Sequence, residues 1–182
     1  MVERIGRKAN EIEGVVGVVE SSSTTIVVLP KALFEKLKRL SESQGMTVEE
    51  LIMDRFLEDI DPGRRAEMYW DMSEEYLRRA KEDFGRGDLK QASEKIWGAA
   101  ALGVKAVAYM RSGNRLKSHG ELWEYVNKLV IETSDEELGR LWRTAISMHV
   151  NFYENWAPRE EVERSLKDVE KFLEKLKKLC GK

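Results

Sequence analysis

The sequence predicts an all-α protein: an antiparallel helical bundle of about five helices with a small N-terminal strand-helix-helix appendage. Three observations lead there. Residues 89–106 open like a capped helix behind Gly87-Asp88 and then turn small and apolar on nearly every side, as a helix enclosed by others must. Val162, Leu166, Val169, Leu173 and Leu176 alternate steps of four and three, the seam of a helix lying against a partner. Glycines and Ser/Thr…Glu capping pairs punctuate the intervening segments, so the connections are short and neighbouring helices antiparallel.

In chain order, residues 1–23 read as a tail or short strand. Glu13-Gly14-Val15-Val16-Gly17-Val18-Val19-Glu20 is too short and too glycine-interrupted for a helix. Residues 24–62 read as a strand-helix-helix unit. Thr24 to Leu29 is a β-branched run stopped by Pro30, and Leu33, Leu37 and Leu40 recur at helical spacing until Gly45. Thr47 and Glu50 then form a capping box ahead of Leu51, Ile52, Phe56 and Leu57, and Asp61-Pro62-Gly63 closes the unit.

Residues 63–182 carry the bundle. A first long helix has the stripe Ala66, Tyr69, Ser73, Tyr76, Leu77, Ala80, Phe84 and turns at Gly85-Arg86-Gly87-Asp88. The small-residue helix follows, to about Arg111, and Gly113 breaks it. Ser118 with Glu121 caps a third helix, and Ser134 with Glu137 opens a fourth that runs to about Trp156. Pro158 sits in the first turn of the fifth. No second copy of the Gly87-Asp88…Ala92 pattern recurs at a period of about 34 residues, which argues against a solenoid.

The bulk numbers narrow the function classes. A net charge of −2, from 31 basic and 33 acidic residues, provides no global field toward polyanions or anionic bilayers, so any polyanion contact is local. Cys180 is the single cysteine, which excludes an internal disulfide and a cysteine zinc site. No apolar run approaches the roughly 20 residues that span a bilayer, and the N-terminus lacks a signal peptide's apolar stretch; the expectation is a soluble cytoplasmic protein without a membrane partner. A 35% charged fraction with glutamine only at Gln44 and Gln91 is the bias of thermophile chains. With no phosphate-cradling glycine loop, no His-Glu-x-x-His and no acidic cluster at metal spacing, neither a metal nor another cofactor is expected.

The chemistry-bearing residues gather in the bundle. Arg143 and His149 lie six positions apart on the fourth helix and point about 120° from each other, so a single helix does not aim both at one atom. A two-fold dimer brings such a pair together. It suits cleavage of a phosphodiester by a ribose 2′-hydroxyl, the imidazole moving protons and the guanidinium steadying the phosphate oxygens. Asn151, Tyr153 and Glu154 line a polar cleft with His149 in this reading. The plainer alternative makes His149 a hydrogen-bonded core residue among Leu138, Leu141, Trp142, Ala145, Met148 and Phe152. His119 follows the cap residue Ser118 and reads as a turn residue. Lys95 and Lys105 read as snorkelling lysines, one of which would draw phosphate if it faced the cleft.

The run from about Leu29 to the end, with Pro30-Lys31-Ala32-Leu33, Ala92-Ser93-Glu94-Lys95-Ile96-Trp97-Gly98-Ala99-Ala100, Ser118-His119-Gly120-Glu121-Leu122-Trp123 and His149-Val150-Asn151-Phe152-Tyr153-Glu154, resembles the archaeal PaREP family of paralogues. That family is similar to the HEPN superfamily, named for higher eukaryote and prokaryote nucleotide-binding domains. The resemblance implies a helical bundle that dimerises and binds RNA or nucleotides. In catalytic members it implies a metal-independent ribonuclease whose arginine and histidine, here Arg143 and His149, meet at the dimer interface. It also implies a toxin-antitoxin setting with a small nucleotidyltransferase partner.

Residues 24–60 look like half of a ribbon-helix-helix module, which pairs its strand across a dimer and reads DNA with the exposed strand face. That face would be Thr24, Ile26 and Val28, without arginine, lysine, asparagine or glutamine. From Glu20 to Ile60, eight acidic side chains stand against five basic ones, so DNA binding is not expected. Three readings stay open: an RNA- or nucleotide-binding protein with ribonuclease activity, a noncatalytic dimeric interaction protein, and a transcriptional regulator.

Overall fold

The computed structural model describes residues 18–20, 25–43, 48–49, 51–52 and 61–181, in two units, residues 1–55 and 56–182.

In the first unit, β1 (Val18–Glu20) pairs antiparallel with β2 (Thr25–Val27), Val19 opposite Ile26. The strand expected to run to Leu29 ends at Val27, three residues ahead of Pro30. Its ladder partner belongs to the same chain, whereas the ribbon-helix-helix reading places it against a second copy. Helix α1 (Lys31–Ser43) follows, the Pro30 carbonyl accepting from the amides of Leu33 and Phe34. Leu33, Phe34 and Leu40 are exposed and Leu51 is buried. The Thr47 and Glu50 capping box, and Phe56 and Leu57, lie outside the described residues.

The second unit holds α2 (Pro62–Arg86), α3 (Leu89–Ser112), α4 (His119–Thr133), α5 (Glu136–Glu154) and α6 (Arg159–Leu179). Asp61-Pro62-Gly63, expected to close a unit, opens α2. Asp61 Oδ2 accepts from the amides of Gly63 at 3.0 Å and Arg64 at 3.3 Å, and Pro62 takes the first turn, where its missing N–H costs nothing. Gly87 ends α2 at φ +83°, a conformation free of strain only for glycine, and Asp88 then caps α3 by accepting from the Gln91 amide at 3.0 Å. Ser118 and Glu121 form the expected reciprocal capping box of α4.

One cap differs from expectation. Ser134 does not start α5; it ends α4 in the left-handed region at φ 53°, and Asp135 is the cap, its carboxylate accepting from the Leu138 amide. A two-residue connection leaves each residue one role, and the left-handed position had to fall on Ser134.

Helix α3 is the axis of the unit, touching α2, α4, α5 and α6. Every residue from Ile96 to Tyr109 is buried. Its glycines set how close the neighbours come. A methyl group on Gly98 would meet Tyr76 Cδ1 of α2 at 2.5 Å, and one on Gly103 would meet Leu173 Cδ2 of α6 at 2.5 Å. Lys105, expected to snorkel, is buried at 4% exposure. Helix α6 lays Val162, Leu166, Val169, Leu173 and Leu176 inward as its spacing predicts, with Glu160 and Glu161 in its first turn and Lys177 and Lys178 in its last, matching its dipole. Among the described residues no helix is long and apolar enough to cross a membrane.

Candidate functional site

Three helices bring their aromatic and imidazole groups to one place. His119 is the first residue of α4, aimed by the Ser118 cap, and His149 lies in the penultimate turn of α5. Their ring centroids are 4.8 Å apart in an edge-on arrangement. Trp97 of α3 lies against both, 5.4 Å from His119 and 5.0 Å from His149. Tyr153, one turn beyond His149, stands edge-on to it at 5.3 Å. Trp97 is buried, both imidazoles are half-buried and Tyr153 is 67% exposed, so the cluster grades from a closed floor to an open rim.

Burial lowers the pKa of His149 below the ordinary histidine value, and the neighbouring His119 lowers it further; Glu94 of α3 pulls the other way without reversing the shift. The neutral imidazole is therefore favoured at neutral pH. Such a group accepts a proton from a hydroxyl, and a second imidazole within contact distance gives the same spot a second proton carrier.

The other residues singled out from sequence are dispersed. Arg143 is exposed and lines a groove of about 610 Å³ between α4 and α5, with Trp123, Val126, Asn127, Val130, Glu136, Glu137, Gly139 and Arg140. Neither histidine lines that groove. Asn151 is fully buried and spent on the fold: its amide donates to Ser93 Oγ at 2.8 Å and its carbonyl oxygen accepts from the Ala157 amide at 2.7 Å, which ties the α5–α6 connection to α3. It does not line the cluster's rim. Lys95 turns to α2, its ammonium 5.2 Å from the Tyr76 ring centre and 3.0 Å from Glu94. Glu154 is exposed at the end of α5.

Sequence reasoning overlooked Trp97 and Trp123. Trp97 is the one large aromatic ring in the small-residue stretch of α3, so its presence there was a signal that something planar packs against it. Trp123 stands four residues after His119, on the same side of α4. It is 39% exposed and meets the buried Trp142 edge-on at 6.1 Å, and Trp142 in turn lies 5.2 Å from Trp97.

The electrostatics of the groove are uneven. Glu137 is held to a pKa of about 2 by Lys171, Lys175 and Arg140, which together neutralise it. Arg143 has no ion-pair partner among the described residues. Among those residues, no three histidine, cysteine or carboxylate groups are arranged to hold a metal ion.

Residues 68–173, from α2 to α6, match the family model described as the archaeal PaREP1/PaREP8 family. That span contains the histidine cluster and the α4–α5 groove. No curated protein matches the chain. Among solved structures, the chain is similar to the crystal structure of a protein from Sulfolobus solfataricus, with a TM-score of 0.52 and 25% sequence identity over 59% of this chain and 95% of that one.

Proposed function

This chain belongs to the archaeal PaREP1/PaREP8 family, and on that footing we propose that it is an RNA-binding helical protein of HEPN type that cleaves RNA without a metal at the His119–His149 pair. The observation that carries the reading is the 4.8 Å separation of the two imidazoles on a rim open to solvent. Neutral His149 takes the proton of a ribose 2′-hydroxyl, and the oxygen attacks the adjacent phosphorus. The bond to the 5′-oxygen breaks, His119 delivers a proton to that oxygen, and a 2′,3′-cyclic phosphate and a 5′-hydroxyl result. Both proton carriers belong to one chain. A homodimer that brings a second copy's Arg143 to the phosphate, and a nucleotidyltransferase partner, are further elements of the proposal and rest on the resemblance to HEPN proteins.

The test is cleavage of single-stranded RNA in a chelating buffer. His149→Ala is expected to lower the rate roughly 10²- to 10⁴-fold, a substrate lacking the 2′-hydroxyl should stay intact, and the upstream product should carry a cyclic phosphate. Equal rates for wild type and His149→Ala overturn the nuclease reading.

A second reading, a noncatalytic interaction protein, draws on the exposed Ile131, Val150, Tyr153 and Trp156. Sedimentation as a stable dimer combined with an absence of RNA binding would favour it.

A further inference from the structure

We infer that the outer groove between α4 and α5 is a base-stacking subsite for single-stranded RNA, in which a nucleobase lies on Trp123 while Arg143 holds the phosphate beside it; the inference rests on the RNA-binding reading above.

The register of α4 and α5 is fixed at their closest approach. They are antiparallel across a two-residue connection, and Gly139 of α5 sits against Val130 of α4, where a methyl group would meet Val130 Cγ2 at 3.3 Å. Counting seven residues back along α4 from Val130 reaches Trp123, and seven forward along α5 from Gly139 reaches Ile146, about 10.5 Å along each axis. Trp123 therefore stands level with Ile146, midway between Arg143 and His149. His119, four residues before Trp123, stands level with Val150, one residue from His149, which agrees with the contact between the two imidazole rings. Along the axis of the α4–α5 pair the order is thus a guanidinium, an indole and then the two imidazoles, with the indole and the guanidinium lining one groove.

The indole, the guanidinium and an amide of the groove are uncommitted among the described residues. Trp123 is 39% exposed although large aromatic rings are normally buried, and its perpendicular contact with Trp142 fixes the plane of the ring. Arg143 carries its charge without a counter-ion among the described residues, whereas the neighbouring Arg140 is engaged by Glu137 and Asp168. Asn127 lines the same groove, with no hydrogen-bond partner among the described residues, so its amide is available to a base edge. The groove's 610 Å³ lies in the range of small-molecule sites, roughly 300–1,000 Å³. Stacking on an aromatic face with a cation at the backbone is the general mode of single-strand recognition. A double-stranded partner would keep its bases stacked internally and could not use the indole.

The test measures the affinity of a short oligoadenylate for the full chain, alongside sedimentation of each variant. Trp123→Ala is expected to weaken binding about ten-fold, Trp123→Phe to recover most of it, and Arg143→Ala to weaken binding and flatten its salt dependence, whereas His149→Ala should affect cleavage far more than affinity. If Trp123→Ala binds as wild type while His149→Ala abolishes cleavage, the subsite is wrong and the nuclease reading stands. If Trp123→Ala and Arg143→Ala lose affinity while His149→Ala cleaves as wild type, the subsite stands and that reading falls. Absence of binding by the wild type overturns both. If Trp123→Ala only converts a dimer to a monomer with unchanged affinity, the face is a contact between copies and the subsite is overturned.

Discussion

The seam between α2 and α3 and the face made by α4 and α5 use similar side chains to opposite ends. At the seam, Tyr76 fills the space that the absent side chain of Gly98 leaves, Ser73 Oγ donates to the Ala99 carbonyl at 2.7 Å, and Arg65 donates to Tyr109 Oη at 2.6 Å with its guanidinium over that ring. Aromatic and charged groups there serve one another. On the α4–α5 face, Trp123 is partly open, Arg143 is unpaired among the described residues and the histidine pair reaches solvent. The difference teaches where to look for function in a chain without a catalytic motif. Groups that the fold has already satisfied have little left to offer a ligand, whereas an open aromatic ring and an unpaired charge at a surface can still engage one.

The sharpest way to break that comparison is Tyr76→Ala, which hollows the seam over Gly98. It should cost about 3–5 kcal/mol in urea unfolding, and a loss near zero would mean that the seam is no tighter than the face. Asn151→Ala comes next. It removes the acceptor for the buried Ala157 amide and a donor to Ser93, for an expected loss of about 1–3 kcal/mol, and a neutral outcome would return Asn151 to the list of binding residues.

Acid titration sharpens the comparison from the other side. Because the folded pKa of His149 lies below its unfolded value, the unfolded chain binds more protons at mildly acidic pH, so stability falls as pH drops through the unfolded histidine pKa toward the lower folded one. His149→Gln should lessen that dependence. Glu137 and Glu75, both held at about 2, Glu75 chiefly by Arg78, act in a separate and more acidic window: their contribution is present above the usual carboxylate pKa and is lost as pH falls toward 2. Thermal melts across pH separate the two windows. An unchanged acid profile in His149→Gln would mean that its ring is not buried as described. Trp123→Ala should cost about 1–2 kcal/mol, since its ring is more than half covered and packs on Trp142, and the smallest effect belongs to Arg143→Ala, expected to change stability by no more than about 0.5 kcal/mol. A large loss in either would place it with the seam.

The fold was legible because its signals are local. The spacing of Val162 to Leu176, the small apolar run of α3 and the Ser118–Glu121 box each act within a few residues, and the helices lie where these patterns put them. The cap of α5 was misplaced by one residue because Ser134 and Asp135 are equally good caps by type, and the choice fell to the geometry of a two-residue turn. The candidate site was legible only in part. Its spacing from Arg143 drew attention to His149, but Asn151 could not be distinguished from a rim residue, since an amide on a helix reads the same whether it meets solvent or the Ala157 backbone. His119 and Trp97 could not be joined to His149 because they lie on separate helices, and Lys105 read as a snorkelling lysine because burial from all sides leaves no mark on its own spacing.

By itself, then, the chain's order of residues determined which segments coil, where most of them stop and which stripes turn inward, because helix formation and capping depend on neighbours within about four positions. Tertiary packing decided what meets across helices: that two imidazoles share a tryptophan floor, that an indole and Arg143 line one groove, and that one amide is sealed while another faces that groove. Those outcomes depend on how closely two helices approach. In this protein that distance is set at a few glycines, Gly98, Gly103 and Gly139, by the presence or absence of a single methyl group.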